Sequence, residues 1–545
     1  MSKKYLFITL VILCASCHKP SESEERLEAD RQANTLPSLF ITIDSEMLDS
    51  IHISQNVKAT AEACLVTADN DTLYEGDIKI KTRGNSTFSL PSYANKKSYS
   101  IKFPKKTQIL SLEKDKSYNL LANYTNGKRY LSNPFAFDFA RSIGLPAPKY
   151  THMHLYCNGV YKGIYQMTNK VDAIPQTLHI TNLGKENKLL NPDKQSNYPH
   201  FPAENEEQLV ARRGVHLDET PEDISGGYLI EHCYKGHIPY LKSPSGFISN
   251  DDETFRIRLP KYASFEEVEY IADFYNQLKC AINAKDGYNP NTRKHYSQYL
   301  DVKSFAKYYI VQELLPHCDA GNNSFMMYKD KNDIDSLLYT GPVWDFDLHE
   351  YSSTPRQYYN TLYLSAWNRD NGGIYYHLWQ HGDFRDEVIK LYTQEIYPKI
   401  TDILQSNYID SLQNILNVHL PDFKEAIQQR SNFLYWLWTT DSVDIVRVQI
   451  MHRCGDIAGF LFGRSEIIMY GSAKDGISLP KHPIINNADP IVHWYLEGDS
   501  IPLPPDTIFY SNQNVEVRLE YPSKVEVQRR RIKKKLRKIF FNVPS

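Results

Sequence analysis

The sequence predicts an α+β fold: strands in its N-terminal part, a helical C-terminal half and a small C-terminal β-domain. Three features carry this. Between Leu36 and about Phe103 apolar and polar residues alternate with a period of two, as half-buried strands require. From Ser264 to about Trp438 most segments show helical spacing behind recognisable caps. Beyond residue 460 the texture changes to short strands with Pro-rich turns. A chain of 545 residues has room for one large domain or several ordinary ones. Its 41% apolar and 23% charged residues exclude wholesale disorder and a multi-span membrane protein. The 39 Tyr against 24 Gly are unusual and name no function by themselves.

Residues 1–17 read as an export signal. Lys3 and Lys4 precede an apolar run from Tyr5 to Cys14 that is too short to span a bilayer, and small residues follow. The ending Leu13-Cys14-Ala15-Ser16-Cys17 resembles a bacterial lipobox, with Cys17 as the lipid attachment site and Cys14 an imperfect match at its position. Residues 18–35 are polar and acidic (Glu22, Glu24, Glu25, Glu28) and read as a tether. An anchored, exported protein at the outer membrane or cell surface is the expectation. The six remaining cysteines are scattered without a CxxC pair, so they read as ordinary thiols rather than a disulfide framework or a zinc site.

The main domain is expected over residues 36–450. Ile78, Ile80 and Thr82 alternate with Lys79, Lys81 and Arg83, and Tyr99, Ile101 and Phe103 alternate with Ser98, Ser100 and Lys102, flanking a turn at Arg83-Gly84-Asn85-Ser86-Thr87. Ser132–Ile143 is a short helix with Ser132 or Asn133 as cap, ended by Gly144 and Pro146. Thr151–Cys157 and Val160–Met167 flank Asn158-Gly159, a pair favoured where both turn residues need positive φ. Residues 185–225 are polar and read as an inserted loop. Ser264-Phe265-Glu266-Glu267 is a capping box opening a helix to about Ala284. A second helix runs from Val302 to Leu315 behind Asp301, strand-like segments return at Phe325–Tyr328 and Leu337–Val343, and helices occupy Ile374 to Trp438. In that stretch Trp436-Leu437-Trp438 reads as core packing.

Three segments concentrate polar residues at strand ends: Arg83–Ser86 with Lys96–Lys102, Asp319–Ser324, and Gly341–Asp347. Strand parity puts Lys97 on the apolar face of Tyr99, Ile101 and Phe103 and Lys102 on the opposite one. A lysine on an apolar face needs a partner or a ligand, which makes Lys97 the phosphate-binding candidate and Lys102 a solvated or salt-bridged residue. Arg83 suits either a phosphate or the carbonyls of its own turn. Asp345 and Asp347, two apart, would point the same way in an extended strand, and paired carboxylates invite a hard cation between them. Asp319 followed by Asn322 and Asn323 has the order of a base and a metal-binding Asn in phosphoryl-transfer sites.

These residues carry a resemblance. Arg83–Thr87 with Lys96–Phe103, then Leu120–Asn123 with Leu131–Asn133, resemble the opening blocks of the CotH kinase family, named for spore coat protein H. Asn158-Gly159-Val160-Tyr161-Lys162-Gly163-Ile164-Tyr165 is similar to its NGxYxGxY hairpin, and Gly226-Gly227-Tyr228-Leu229-Ile230-Glu231 to its GGYLxE strand. Asp301–Leu315, Asp319, Ser324, Tyr328-Lys329-Asp330 and Gly341–Asp347 follow in order, so that the likeness covers roughly residues 36–440.

The resemblance implies an atypical protein-kinase-like domain that uses ATP and Mg or Mn to phosphorylate Ser or Thr on exported proteins. It implies Lys97 as phosphate contact; Arg83 and Lys102 stand beside it as cofactor-binding candidates from the residues themselves. Asp319 would be the catalytic or metal-binding Asp and Asp345 the metal-binding Asp, with Asp347 able to assist, and Asn323 joins the metal set as the Asn of the Asp–Asn order. Two departures bear on activity. Asn169 stands where many members carry Glu after the hairpin, and Leu348-His349-Glu350-Tyr351 is bulkier than the usual continuation. A surface adhesin or assembly protein that binds glycan or protein partners through a degenerate site is the competing expectation.

Residues 460–523 form the expected small β-domain and 524–545 a basic tail. Lys524–Phe540 holds nine basic residues and one Glu, and removing that +8 from the chain's −3 leaves a body of about −11. Such a run is a solvated helix, or it docks on phosphate-bearing lipid or polysaccharide beside the anchor. No stacking aromatics interleave its charges, so nucleic acid is not expected as a partner.

Overall fold

The computed structural model describes residues 36–84, 88, 96–123, 130–171, 178–193, 195–201, 211–233, 243–315, 324–348 and 373–439, and beyond these the backbone of six C-terminal strands. It is a mixed α+β chain of two units. One comprises the described residues up to Ala122 together with Tyr150–Thr168, and the other Asn123–Lys149 and the chain from Asn169 onward. The signal, Cys17, the tether and the basic tail lie outside the described residues.

In the first unit β1 (Ser38–Thr42), α1 (Ser45–Ile53), β2 (Ala59–Val66), β3 (Thr72–Thr82), β4 (Tyr99–Thr107) and β5 (Asp115–Leu121) are followed by α2 (Ser132–Ser142) of the other unit and then by β6 (Tyr150–Cys157) and β7 (Val160–Asn169). The seven strands close into a barrel in the order β1-β2-β3-β4-β5-β7-β6, with β1 parallel to β6 and antiparallel to β2. Alternation decides which side chains fill it. Leu39 and Ile41, Ala61, Ala63 and Leu65, Ile78 and Ile80, and Ile101 and Phe103 are all buried at two-residue spacing. The Asn158-Gly159 hairpin forms as expected, with φ of 50° and 73°. Asn158 also has a use the turn rule does not show: its carboxamide accepts from Ile43 N and donates to Ile43 O, both at 2.9 Å.

The second unit contains α3 (Leu183–Leu190), β8 (His200–Phe201), β9 (Arg212–Val215), β10 (Tyr228–Cys233), β11 (Gly246–Ile248), β12 (Thr254–Leu259), α4 (Phe265–Asn283), α5 (Val302–Leu314), β13 (Phe325–Lys329) and β14 (Leu338–Thr340). Its sheet runs β14-β13-β10-β12-β11-β9-β8. The polar stretch expected as a loop therefore contains α3, β8 and β9. Asn182, just before it, caps α3, and within it Asn191 bonds the backbone of Asp218 and Glu219. The capping box of α4 closes in both directions between Ser264 and Glu267, and Asp301 caps α5 through Ser304 N. Helix α2 departs from the expectation: Leu131 takes the cap position, with no side-chain cap bond, and Ser132 and Asn133 lie inside the helix and are buried.

The helical part follows with α6 (Ile374–Leu378), α7 (Gly382–Leu391), a π-turn at Tyr392–Ile396, α8 (Tyr397–Gln405), α9 (Tyr408–Leu416) and α10 (Pro421–Thr439). Trp438 packs edge-on to Tyr392, with ring centroids 4.7 Å apart, as core packing demands. Many tyrosines are explained in the same way. Rings of Tyr118, Tyr228, Tyr375 and Tyr392 are fully buried, and their hydroxyls donate to the carbonyls of Thr107, Ile224, Phe305 and Ser431 respectively. Among the described residues Cys64, Cys157, Cys233 and Cys280 are free thiols, and no helix is long and apolar enough to cross a membrane. At the C-terminal end β15 (Asp444–Cys454) pairs antiparallel with β16 (Ser465–Gly471) and parallel with β20 (Asn514–Tyr521), beside β18 (Ile491–Leu496). A separate pair joins β17 (Ile477–Ser478) to β19 (Ile508–Phe509). The first strand of this sheet begins before residue 460.

Helices α5 and α10 are joined by a buried ion pair. Arg430 Nη2 donates to Glu313 Oε2 at 2.8 Å and Nε to Glu313 O at 2.5 Å, with both residues no more than 1% exposed. Removing one partner strands the other charge in a dry interior. Arg430→Leu is expected to lower unfolding free energy by ~3–5 kcal/mol, read from the denaturant midpoint at unchanged slope.

Candidate functional site

The basic candidates sit at the start of β4 in the first unit. Lys97 is half-buried; its Nζ donates to Phe88 O at 2.5 Å and stands 5.3 Å from the Phe88 ring centroid. The buried ammonium belongs instead to Lys96, whose Nζ donates to Ile164 O at 2.6 Å and Ala122 O at 3.1 Å beside the Tyr165 ring. This corrects the parity reading. Strand geometry begins at Tyr99, and a two-residue period carried backward past that point assigns the wrong lysine to the interior. Gly163 beside the Lys96 stem is required by its backbone, at φ +92°, rather than by space, since a Cβ there would meet Lys96 Cε at an ordinary 3.5 Å. Lys102 is exposed on the outer face, in register between Lys79 and Ser117, as parity requires. Arg83 is half-buried and continues the ladder through its N–H to Ser98 O at 3.0 Å.

The acidic candidates lie in the second unit, and the backbone there is not the extended strand expected. Asp345 has φ of +70° and Phe346–Leu348 form a 3-10 turn, so the two-apart rule does not align Asp345 with Asp347. A left-handed non-glycine residue costs about 1–2 kcal/mol and persists only where its surroundings impose it. Two side chains do so. Asn133 Oδ1 accepts from Phe346 N at 2.7 Å, and Ser324 Oγ donates to Asp345 Oδ2 at 2.9 Å. Asn133 is itself held by its Nδ2, which donates to Asn123 Oδ1 at 2.9 Å. Phe346 is buried, and Trp344 stacks on Phe137 with centroids 5.8 Å apart. Ser324 and Asn123 also have positive φ, at 57° and 45°, so three strained residues cluster around one turn.

The GGYLxE segment contributes a second charged group. Gly226 crosses the backbone of Asp330 so closely that a Cβ would fall 1.9 Å from its carbonyl carbon, and Gly227 takes φ +87°. That seats β10 with Glu231 buried between Arg256, whose Nε and Nη2 donate at 2.7 and 2.8 Å, and Arg258 at 2.5 Å. Burial raises the carboxyl pKa, but the two guanidinium groups outweigh burial and hold it below the usual carboxylate value. Asn169, at the end of β7, is buried.

Asp319 and Asn323 lie outside the described residues. Among the described residues no group of three or more His, Cys, Asp or Glu forms a metal cage. The described members of the expected set, Asp345 and Asp347, supply hard carboxylate oxygens on one short turn, a donor chemistry that suits Mg²⁺ or Mn²⁺. Sequence reasoning overlooked Asn133 and Asn123. Asn123 has no role in the sequence reading, and the helix-start rule makes Asn133 a cap candidate where it is an interior helix residue.

Burial pushes the Lys96 ammonium from its usual 10.5 to about 7. Between those values the unfolded chain binds more protons than the folded one, so this group makes stability rise with pH there and has no slope below about 7. Lys96→Met is expected to flatten the stability profile between pH 7 and 10 relative to the parent, measured by denaturant titrations across that range.

A family model described as CotH kinase protein matches residues 80–448, more than half of the 545. No curated protein matches the chain.

Proposed function

Because the chain belongs to the CotH kinase family, we propose that it is an atypical protein kinase, dependent on ATP and a divalent metal, that phosphorylates Ser or Thr hydroxyls of exported proteins. One observation carries the reading: a left-handed Asp345 latched by Asn133 and Ser324. Strain of this kind is retained where a side chain must be held in one orientation.

In this reading Asp345 and Asp347 hold the metal with Asn323, Lys97 contacts the nucleotide phosphates, and Asp319 accepts the proton of the attacking hydroxyl. The metal supplies charge neutralisation on the transferring phosphoryl group. The rest of the catalysis is positioning, which suits residues fixed by buried hydrogen bonds rather than a reactive nucleophile. Arg83 acts with Lys97 on the phosphates, and Lys102 remains an outer-face residue. Anchoring through Cys17 at the outer membrane or cell surface, with the basic tail as a second membrane contact, completes the reading.

A specific residue favours a second reading, a glycan- or protein-binding surface protein with a degenerate site. Asn169 is uncharged at the position where the family resemblance implies Glu. Incubating the purified full-length chain with labelled ATP and Mn²⁺ or Mg²⁺ separates the two. Transfer to a Ser/Thr protein acceptor is expected and should fall by on the order of 10²–10³ in Asp345→Asn. Lys97→Met should raise the KM for ATP about tenfold, the loss of one charge-assisted bond. A chain that neither binds nucleotide nor transfers phosphate sinks the kinase reading and leaves the binding protein.

A further inference from the structure

We propose that Asn133 is the positioning residue of the Asp345 turn, acting through the backbone of Phe346 rather than on any ligand. The inference rests on the kinase reading for its consequence but on geometry for its content. Asn133 is 3% exposed on α2, 213 positions before the amide it receives. Its two polar ends are both used: Oδ1 takes Phe346 N–H at 2.7 Å, and Nδ2 is spent on Asn123 at 2.9 Å. The second bond fixes which end of the carboxamide faces the turn. With Nδ2 committed to Asn123, only the acceptor is presented to Phe346, and a donor at that position leaves the buried N–H unsatisfied.

The bond acts on the residue before it. Phe346 N belongs to the peptide unit that follows Asp345, so pinning that N–H fixes ψ of Asp345 while Ser324 pins its carboxylate. Backbone and side chain are thus held from two different elements, α2 and the residue before β13. Without the Asn133 bond the left-handed conformation loses its backbone support, and the residue relaxes toward ordinary φ, swinging the carboxylate away from its set position.

Asn133→Ala, Asn133→Asp and Asn123→Ala would be compared with the parent full-length chain. Asp at 133 keeps an oxygen for Phe346 N, and a rotated Asn123 amide can donate to its other oxygen. Deuterium exchange of the segment containing Phe346 reads the latch, Mn²⁺ titration by electron paramagnetic resonance reads the metal without nucleotide, and steady-state phosphotransfer reads the consequence. Asn133→Ala is expected to exchange at least tenfold faster at Phe346, to bind Mn²⁺ about tenfold more weakly, and to lose kcat with KM for ATP within twofold. Asn133→Asp should restore protection and most of kcat, and Asn123→Ala should fall between. Unchanged exchange in Asn133→Ala overturns the proposal, as does Mn²⁺ affinity equal to the parent's, or an Asp variant as impaired as the Ala one. A parent chain without activity or Mn²⁺ binding, with exchange still released by Asn133→Ala, counts against the kinase reading and leaves the latch standing.

Discussion

A peptide N–H or C=O removed from water must be paired, and a strand or helix supplies the partner only within its own run. The tight junctions of this chain therefore depend on something that can stand in for a peptide group, and asparagine does so repeatedly. Asn158 offers both ends of its carboxamide to Ile43, Asn191 takes the amides of Asp218 and Glu219, Asn289 takes those of Asn291 and Thr292, and Asn133 takes Phe346. A carboxamide has the donor and acceptor of a peptide unit on a short, rotatable stem. It can satisfy backbone just past the end of a ladder, as Asn158 does for Ile43, 115 positions earlier, where the β1–β6 pairing stops. The barrel, the α3 region and the acidic turn each use this substitution of side chain for main chain at a junction.

Charges taken inside follow the same accounting. Glu231 sits between two guanidinium groups, Glu313 faces Arg430, and Lys96 spends its protons on carbonyl oxygens. None of these is a cheap source of stability, since burial opposes each of them. Their effect is to penalise misregistered alternatives: a β10 strand shifted by one residue would place Glu231 among apolar neighbours and Arg256 and Arg258 without a carboxylate. Gly226 and Gly227 enforce the register from the other direction, because no side chain fits at Gly226 where the Asp330 backbone passes, or at Gly227 against Thr181 and Leu183.

Much of the fold was legible where local rules act alone. The Asn-Gly hairpin, the Ser264–Glu267 box, the Asp301 cap and the strand pair around Ile80 and Ile101 were all readable from short windows. The family was legible from motifs in order. Legibility failed where a residue's partner is far away in the chain. Asn133 looked like a helix cap because caps are local, while its actual partner lies past residue 340. Lys96 and Lys97 were exchanged because parity is a property of a strand, and the strand had not yet begun. The carboxylate pair was read as extended, since nothing near Asp345 in sequence announces a left-handed residue imposed by α2 and Ser324. The inserted region was mistaken for a loop because a polar composition does not distinguish solvated backbone from backbone satisfied by Asn side chains.

The placement of β1 has a mechanical side. This five-residue strand is the first described element of the barrel, and it is gripped along both edges, antiparallel to β2 and parallel to β6. Tension entering from the segment before Ser38 along the strand axis meets two ladders of hydrogen bonds lying across the pull. Such bonds must break together in shear rather than one after another as in the peeling of a hairpin edge. A strand this short, clamped on both sides, is thus a bolt whose two ladders resist the pull together.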